Sequence, residues 1–191
     1  MSADEDIAPR EFKGPTDRTR RGIIAVYTGD GKGKSTAGFG AALRALGRGM
    51  DVAVVQFMKG PWVSGEFQAL QKFGPRVEIH KVGEGFTWDT KDLERDKKCA
   101  HDGWEICKRL LTESRHGLYL FDEILYVLKY RFLPLGEVVA GLALKPPLAH
   151  LILTGRDAPA EIIAAADLVT EMREIKHPYK SGVTAQAGFD Y

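Results

Sequence analysis

The residues with the most legible chemical purpose run Thr28-Gly29-Asp30-Gly31-Lys32-Gly33-Lys34-Ser35-Thr36. They follow a short apolar run, Gly22 to Tyr27, and precede a stretch rich in Ala and Leu that is expected to be a helix over Ser35 to Leu46. A strand–turn–helix junction of this composition suits a phosphate. Glycines let successive backbone N–H groups converge on an anion, and the start of the following helix adds a favourable dipole. Lys34 supplies a point charge, and the Ser35 hydroxyl is placed to ligate Mg2+. The pattern G-x-x-x-x-G-K-[ST] is met except at its first position, where Thr28 stands and Gly29 follows. The competing reading is an ordinary glycine-rich turn with an exposed lysine. Three glycines, two lysines and the Ser35-Thr36 pair in this context disfavour it. Gly29, Asp30, Gly31, Lys32, Gly33, Lys34, Ser35 and Thr36 are therefore the expected nucleotide-binding residues.

A second pair of groups belongs with the first. Leu118 to Phe121 is an apolar strand ending in Asp122-Glu123, the pattern of a Walker B element. Carboxylates at the C-terminal edge of a parallel strand face the same crevice as the phosphate loop, and one of them can hold Mg2+ directly or through water. The other reading of such an acid is a helix cap, and Asp122 is open to it. Arg156 lies just after another apolar run, Leu148 to Leu153, at the same edge. It is either a contact to ribose or phosphate or a surface ion pair. Gln56, Lys59, Trp62 and Glu66 follow a further buried strand and are expected to be secondary contacts, with His177 and Gln186 weaker candidates.

These groups need a scaffold, and the chain supplies an alternating one. Strands are expected over Gly22–Tyr27, Asp51–Met58, Val77–Lys81, Gly117–Phe121, Leu148–Leu153 and Leu168–Met172. Helices are expected over Ser35–Leu46, Ser64–Phe73, Lys91–Arg115, Glu123–Arg131, Leu135–Leu144 and Pro159–Ala166. That alternation indicates an α/β fold with a parallel six-stranded sheet flanked by helices. Residues 1–21 mix acidic and basic side chains with prolines and few apolar ones, and read as a mobile N-terminal arm; residues 22–191 form the domain.

With 191 residues, 27 Lys+Arg against 26 Asp+Glu and a formal net charge of +1, the composition argues against a large nucleic-acid footprint. It leaves room for a small anion, which one local cluster can bind. No stretch approaches the about 20 apolar residues of a membrane span, and the N-terminus lacks an apolar signal region, so a cytoplasmic location is expected. Cys99 and Cys107 lie about 12 Å apart on one predicted helix, too far for a disulfide, and read as reduced thiols. His80, His101, His116 and His150 show no ligand spacing with one another or with the cysteines.

Two nucleotide motifs fit many NTPases; the rest of the chain narrows the field. Tyr27 to Thr36, Gln56-Phe-Met-Lys-Gly60, Gly85-Phe-Thr-Trp-Asp-Thr90, Asp122-Glu123, Thr154-Gly-Arg156, Ala166 to Arg173, Lys176-His-Pro-Tyr179, Gly182 to Gln186 and Gly188-Phe-Asp-Tyr191 occur in that order. The series closely resembles the P-loop ATP:corrinoid adenosyltransferases, the CobA/CobO/BtuR-like family, from about Gly22 to the last residue. That resemblance implies a P-loop NTPase (RecA-like) architecture. It implies transfer of the 5′-deoxyadenosyl group of ATP to the cobalt of a reduced corrinoid, cob(I)alamin or cob(I)yrinic acid a,c-diamide, with release of triphosphate. It further implies Mg2+ (or Mn2+) held by Ser35 and Glu123, an inverted ATP in the loop, a homodimer, and a reductase or flavoprotein that supplies electrons. By position, Lys34 and Glu123 would be catalytic. Phe86 and Trp88 match the family's aromatic pair on the corrinoid side, where they would exclude the lower axial cobalt ligand. The family shares Thr28 in place of Gly, whereas Asp30 stands where Asn is frequent and Ser35 where Thr is frequent. The alternatives are another P-loop NTPase or small-molecule kinase, or a nucleotide- or corrinoid-binding carrier or regulator without turnover.

Overall fold

The computed structural model describes residues 20–58, 64–83 and 92–190. The arm before Arg20, and Lys59, Trp62, Phe86, Trp88 and Tyr191, lie outside the described residues. Six strands, β1 (Ile24–Thr28), β2 (Val52–Gln56), β3 (Val77–Lys81), β4 (Leu118–Asp122), β5 (His150–Thr154) and β6 (Leu168–Glu171), form one sheet in the order β3-β2-β4-β5-β1-β6. Every adjacent pair is parallel. This is the six-stranded α/β architecture expected from the alternation of elements.

The period of two along each strand divides the core between the faces. Ala25, Val52, Val54, Leu118, Leu120 and Ile152 point to one side, where they meet Phe39, Ala42 and Leu46 of α1 (Lys34–Gly47) and Leu70 of α2 (Gly65–Gln71). Val26, Ala53, Val55, Tyr119, Phe121, Leu151 and Leu153 point to the other. There they meet α3 (Leu93–Glu113), α4 (Ile124–Lys129), α5 (Leu135–Leu142) and α6 (Ala160–Ala165). Residues on both sides of β2 and β4 are buried, which is why these strands read as unbroken apolar runs. Trp104 of α3 is fully buried and sits edge-on to Phe121 at 6.3 Å between ring centroids. Removing Phe121 from water alone contributes about 1.5–3 kcal/mol.

Helix α3 begins where Asp92 caps it, the side chain accepting from the Arg95 N–H at 3.1 Å, and ends at Ser114 in a left-handed conformation. The predicted start at Lys91 falls outside the described residues. Gly74–Arg76 forms a single 3-10 turn leading into β3. Cys107 is fully buried and burial pushes its thiol well up, so it is unreactive; Cys99 is partly exposed, and both are free thiols.

Two half-buried histidines make the fold acid-sensitive. The neutral His150 ring accepts the Ile23 N–H at its Nδ1, 3.2 Å away, tying the entry of β1 to β5. Burial holds its pKa below the ordinary value, with Lys145 and Arg20 adding to the effect. His116 is lowered too, mainly by burial and partly offset by Glu78. The unfolded chain therefore binds more protons than the folded one between the lowered pKa values and about 6.5, so stability falls as pH drops through that window. Urea unfolding at pH 7.5 and 5.5 is expected to show a lower midpoint at pH 5.5, and the double variant His116→Gln, His150→Gln a smaller difference. An equal pH difference in the double variant would assign the sensitivity elsewhere.

Candidate active site

The phosphate loop joins β1 to α1 and follows the backbone its glycines permit. Gly29 has φ 93° and Gly33 has φ 117°, both in the left-handed region. A Cβ at Gly29 would also stand 2.5 Å from the Met172 carbonyl oxygen, because the chain leaving β6 passes directly beneath the loop. The Gly31 N–H donates to that same carbonyl at 2.7 Å. Gly31 therefore anchors the loop with its amide, and that amide drops out of the expected phosphate-facing set. Thr28, the departure from the general pattern, is buried, and its hydroxyl accepts the Ala158 N–H at 3.2 Å. Its side chain ties the base of the loop to the β5–α6 connection.

α1 begins at Lys34 with no side-chain cap and no acid in its first turn, leaving its N-terminus suited to an anion. Lys34 is buried and folds back across the loop, donating from Nζ to the Gly31 carbonyl at 2.6 Å. Burial lowers its pKa; Glu123 opposes this, while Arg156 adds to it. Lys34, Ser35, Thr36, Glu66, Glu123, Arg156 and His177 all line one crevice of about 240 Å3 at the C-terminal edge of the sheet.

The paired acids divide their tasks. Asp122 is fully buried; its Oδ1 accepts from the Thr154 hydroxyl at 2.8 Å and its Oδ2 from Gln56 Nε2 at 3.2 Å. Asp122 is thus a brace across β2, β4 and β5 and not a helix cap. Gln56 belongs to that brace, so the expectation that it contacts ligand is corrected: its side chain is buried in the sheet. The Thr154 hydroxyl also accepts the Glu123 N–H at 2.8 Å. Glu123, at φ 63°, turns the chain out of β4, so α4 starts one residue later than expected and Glu123 faces the crevice.

Two ion pairs join further charges of the crevice. Arg156 Nη1 lies 3.6 Å from Asp30 Oδ1, and Arg156 Nε is buried without a hydrogen-bond partner among the described residues. The two readings of Arg156 thus coexist, an ion pair that also lines the crevice. Lys32 Nζ lies 2.5 Å from Asp190 Oδ1. Among the described residues no group of three His, Cys, Asp or Glu side chains forms a metal cluster. No described helix is long and apolar enough to cross a membrane.

The family profile described as ATP:corrinoid adenosyltransferase BtuR/CobO/CobP matches residues 20–191. The chain belongs to that family. It is 46% identical over 186 residues to a corrinoid adenosyltransferase of Sinorhizobium sp, covering 96% of this chain and 87% of the relative. The corrinoid adenosyltransferase of Escherichia coli K12 is 46% identical over 171 residues, covering 90% of this chain and 86% of its own. The corrinoid adenosyltransferase CobA of Salmonella typhimurium is 44% identical over 171 residues, with the same coverage. Membership makes the chain an ATP-dependent enzyme that transfers an adenosyl group to a corrinoid. Nothing in these relatives supports the NTPase or kinase alternative.

In this adenosyltransferase Asp30 to Thr36 and Arg156 line one crevice and Gly29 does not, while the aromatic pair Phe86 and Trp88 falls outside the described residues. Sequence reasoning missed Tyr126, Phe39, Ser64, Phe189 and Asp190, which line the same crevice. Tyr126 stands one turn beyond Glu123 on α4; burial first, and Glu123 second, push its phenol up to about 12, so it stays a neutral donor. Its position three residues after the acid was a usable signal. Asp190 carried no comparable sign beyond its place in a terminal motif.

Proposed function

We propose that this adenosyltransferase binds the triphosphate of ATP on the loop amides of Lys32 to Thr36, with Lys34, Lys32 and Arg156 as its cationic partners. The single observation supporting this is the shared crevice, where a helix N-terminus, Lys34, Arg156 and Glu123 converge. The buried Nε of Arg156, unpartnered among the described residues, is a donor placed as a site kept for an anion would leave it.

The reduced corrinoid is the nucleophile: the cobalt–carbon bond forms at C5′ as the C5′–oxygen bond breaks, and triphosphate departs with the bonding pair. No protein nucleophile is required. The chain's task is to align the two substrates and stabilise charge growing on the leaving oxygens, which fixed N–H groups and Lys34 do without reorganising. Tyr126 adds an uncharged donor on the Glu123 side. Ser35 and Glu123 offer the hard oxygen donors suited to Mg2+ or Mn2+. When bound, the ion neutralises part of the triphosphate charge.

Phe86 and Trp88 would present an apolar surface to the lower corrin face, removing the axial ligand so that Co(II) is more readily reduced. The electron comes from a reductase or flavoprotein partner. The same reading includes a homodimer, a cytoplasmic location and an arm over residues 1–21 that helps cover the substrates.

Incubation with MgATP and chemically reduced cobalamin, followed by corrin spectroscopy and phosphate analysis, is expected to give adenosylcobalamin and triphosphate; ADP or orthophosphate alone would overturn the assignment. Trp88→Ala is expected to impair turnover that starts from Co(II) while sparing turnover from chemically prepared Co(I). Equal loss from both states would remove Trp88 from that role.

A further inference from the structure

The charge on Lys32 is already engaged, and by a segment from the far end of the chain. The turn over Gln186–Asp190 is closed by two bonds to the Gln186 carbonyl, from the Phe189 N–H at 3.2 Å and the Asp190 N–H at 2.8 Å. Gly188 takes the left-handed conformation the turn needs. Asp190 Oδ2 accepts the Gln186 N–H at 2.8 Å, so one carboxylate oxygen is held by the turn itself. The other oxygen, Oδ1, lies 2.5 Å from Lys32 Nζ. The Phe189 ring flanks the same ammonium, its centroid 5.5 Å from Nζ. Phe189 and Asp190 line the crevice together with the loop, and with Gly188 they also line a smaller hollow against Gly65 and Glu66 at the start of α2. The terminal turn therefore spans the crevice mouth from the phosphate loop to α2.

We propose that the turn Gln186–Asp190 is a strap in which the Asp190 carboxylate occupies the place on Lys32 that a substrate phosphate takes, so that triphosphate binding displaces it. The inference rests on the reading of the loop as the triphosphate site. A carboxylate left in position beside an incoming polyphosphate would face like charge across a few ångströms. The ion pair is the weaker party: both side chains are partly open to water, at 35% and 20% exposure, and pairs of that kind hold little energy. A polyanion that also engages the loop amides and Lys34 outcompetes a single carboxylate anchored by one short turn. Lys32 thus changes partner on binding, and the strap leaves the mouth of the crevice as the nucleotide enters.

The test is calorimetric titration of the full-length chain with sodium tripolyphosphate, in the absence of metal, and with MgATP. Asp190→Asn keeps an acceptor for the Gln186 N–H but removes the competing charge. It is expected to bind both probes about three- to tenfold more tightly than the parent chain. In a Lys32→Ala background the same substitution should make no difference, because the two anions then have nothing to compete for. Hydrogen exchange at the amides of residues 186–190 should accelerate when either probe is added. Unchanged or weaker binding by Asp190→Asn, an equal gain in the Lys32→Ala background, or slowed exchange of the turn would each overturn the strap. Lys34→Ala separates the two levels. Weakened tripolyphosphate binding there, with no gain from Asp190→Asn, removes the strap and leaves the loop reading standing. Undiminished binding by Lys34→Ala removes both.

Discussion

Replacing Lys34 by alanine is expected to lower kcat/KM for adenosyl transfer by about two to three orders of magnitude. Two structural facts and the proposed reading of the loop as the triphosphate site set the size of this effect. Lys34 is buried, so its ammonium acts in a medium that screens poorly. It stands at the N-terminus of α1, where its charge and the helix dipole act on the same anion. In the transferred group's departure, negative charge increases on the triphosphate, so the interaction is stronger in the transition state than with bound ATP. The loss should therefore appear mainly in kcat at saturating ATP, with Co(I) supplied chemically so that reduction does not limit the rate. Tripolyphosphate, as a product mimic, should bind Lys34→Ala more weakly as well. A variant retaining more than a tenth of the parental kcat would show that the loop amides bear the charge without the lysine.

Asp122→Ala is expected to be the most destabilising substitution at the site, by about 2–4 kcal/mol. The carboxylate is fully buried and serves two donors from two neighbouring strands, Gln56 Nε2 and the Thr154 hydroxyl. Alanine leaves both without an acceptor at the end of the sheet, where water enters poorly. The loss spreads further, because the Thr154 hydroxyl that donates to Asp122 also receives the Glu123 N–H. With its proton unassigned, that hydroxyl no longer fixes the turn that aims Glu123 into the crevice. Asp122→Asn is the informative companion. It can still accept from Thr154, and a turn of the Gln56 amide lets that side chain accept from the new NH2 group. Its loss should be less than half that of alanine. Urea unfolding midpoints measure both, and equal stability of Asp122→Ala and the parent would remove the brace from the account.

The phosphate loop was legible because its information is local. The glycines, Lys34 and Ser35 sit next to one another, and each type answers to one requirement of the turn. The apolar runs were legible for the same reason, since a strand buried on both faces leaves its mark in consecutive residues; the order of the strands in the sheet was not. Asp122-Glu123 was only half legible. The pair identified a strand edge, but which acid faces solvent depends on Gln56 and Thr154, residues on two other strands that pairing brings alongside. The role of Thr28 was invisible for a similar reason: its partner is the Ala158 N–H, and no side-chain pattern announces a backbone donor. Asp190 meets Lys32 from the opposite end of the chain, a juxtaposition that exists only once the segment after β6 has crossed beneath the loop.

That crossing has a kinetic side. The Gly31–Met172 bond and the Thr28–Ala158 bond hold the loop in its working curvature as part of the fold, so the entropy of shaping it is lost when the chain folds and not when nucleotide arrives. On the proposed reading of the loop as the triphosphate site, encounter with ATP is then expected to need no search through loop conformations. The association rate is left to diffusion and to whatever stands in the doorway, and residence time is set by how readily the anion leaves a seat that does not relax behind it.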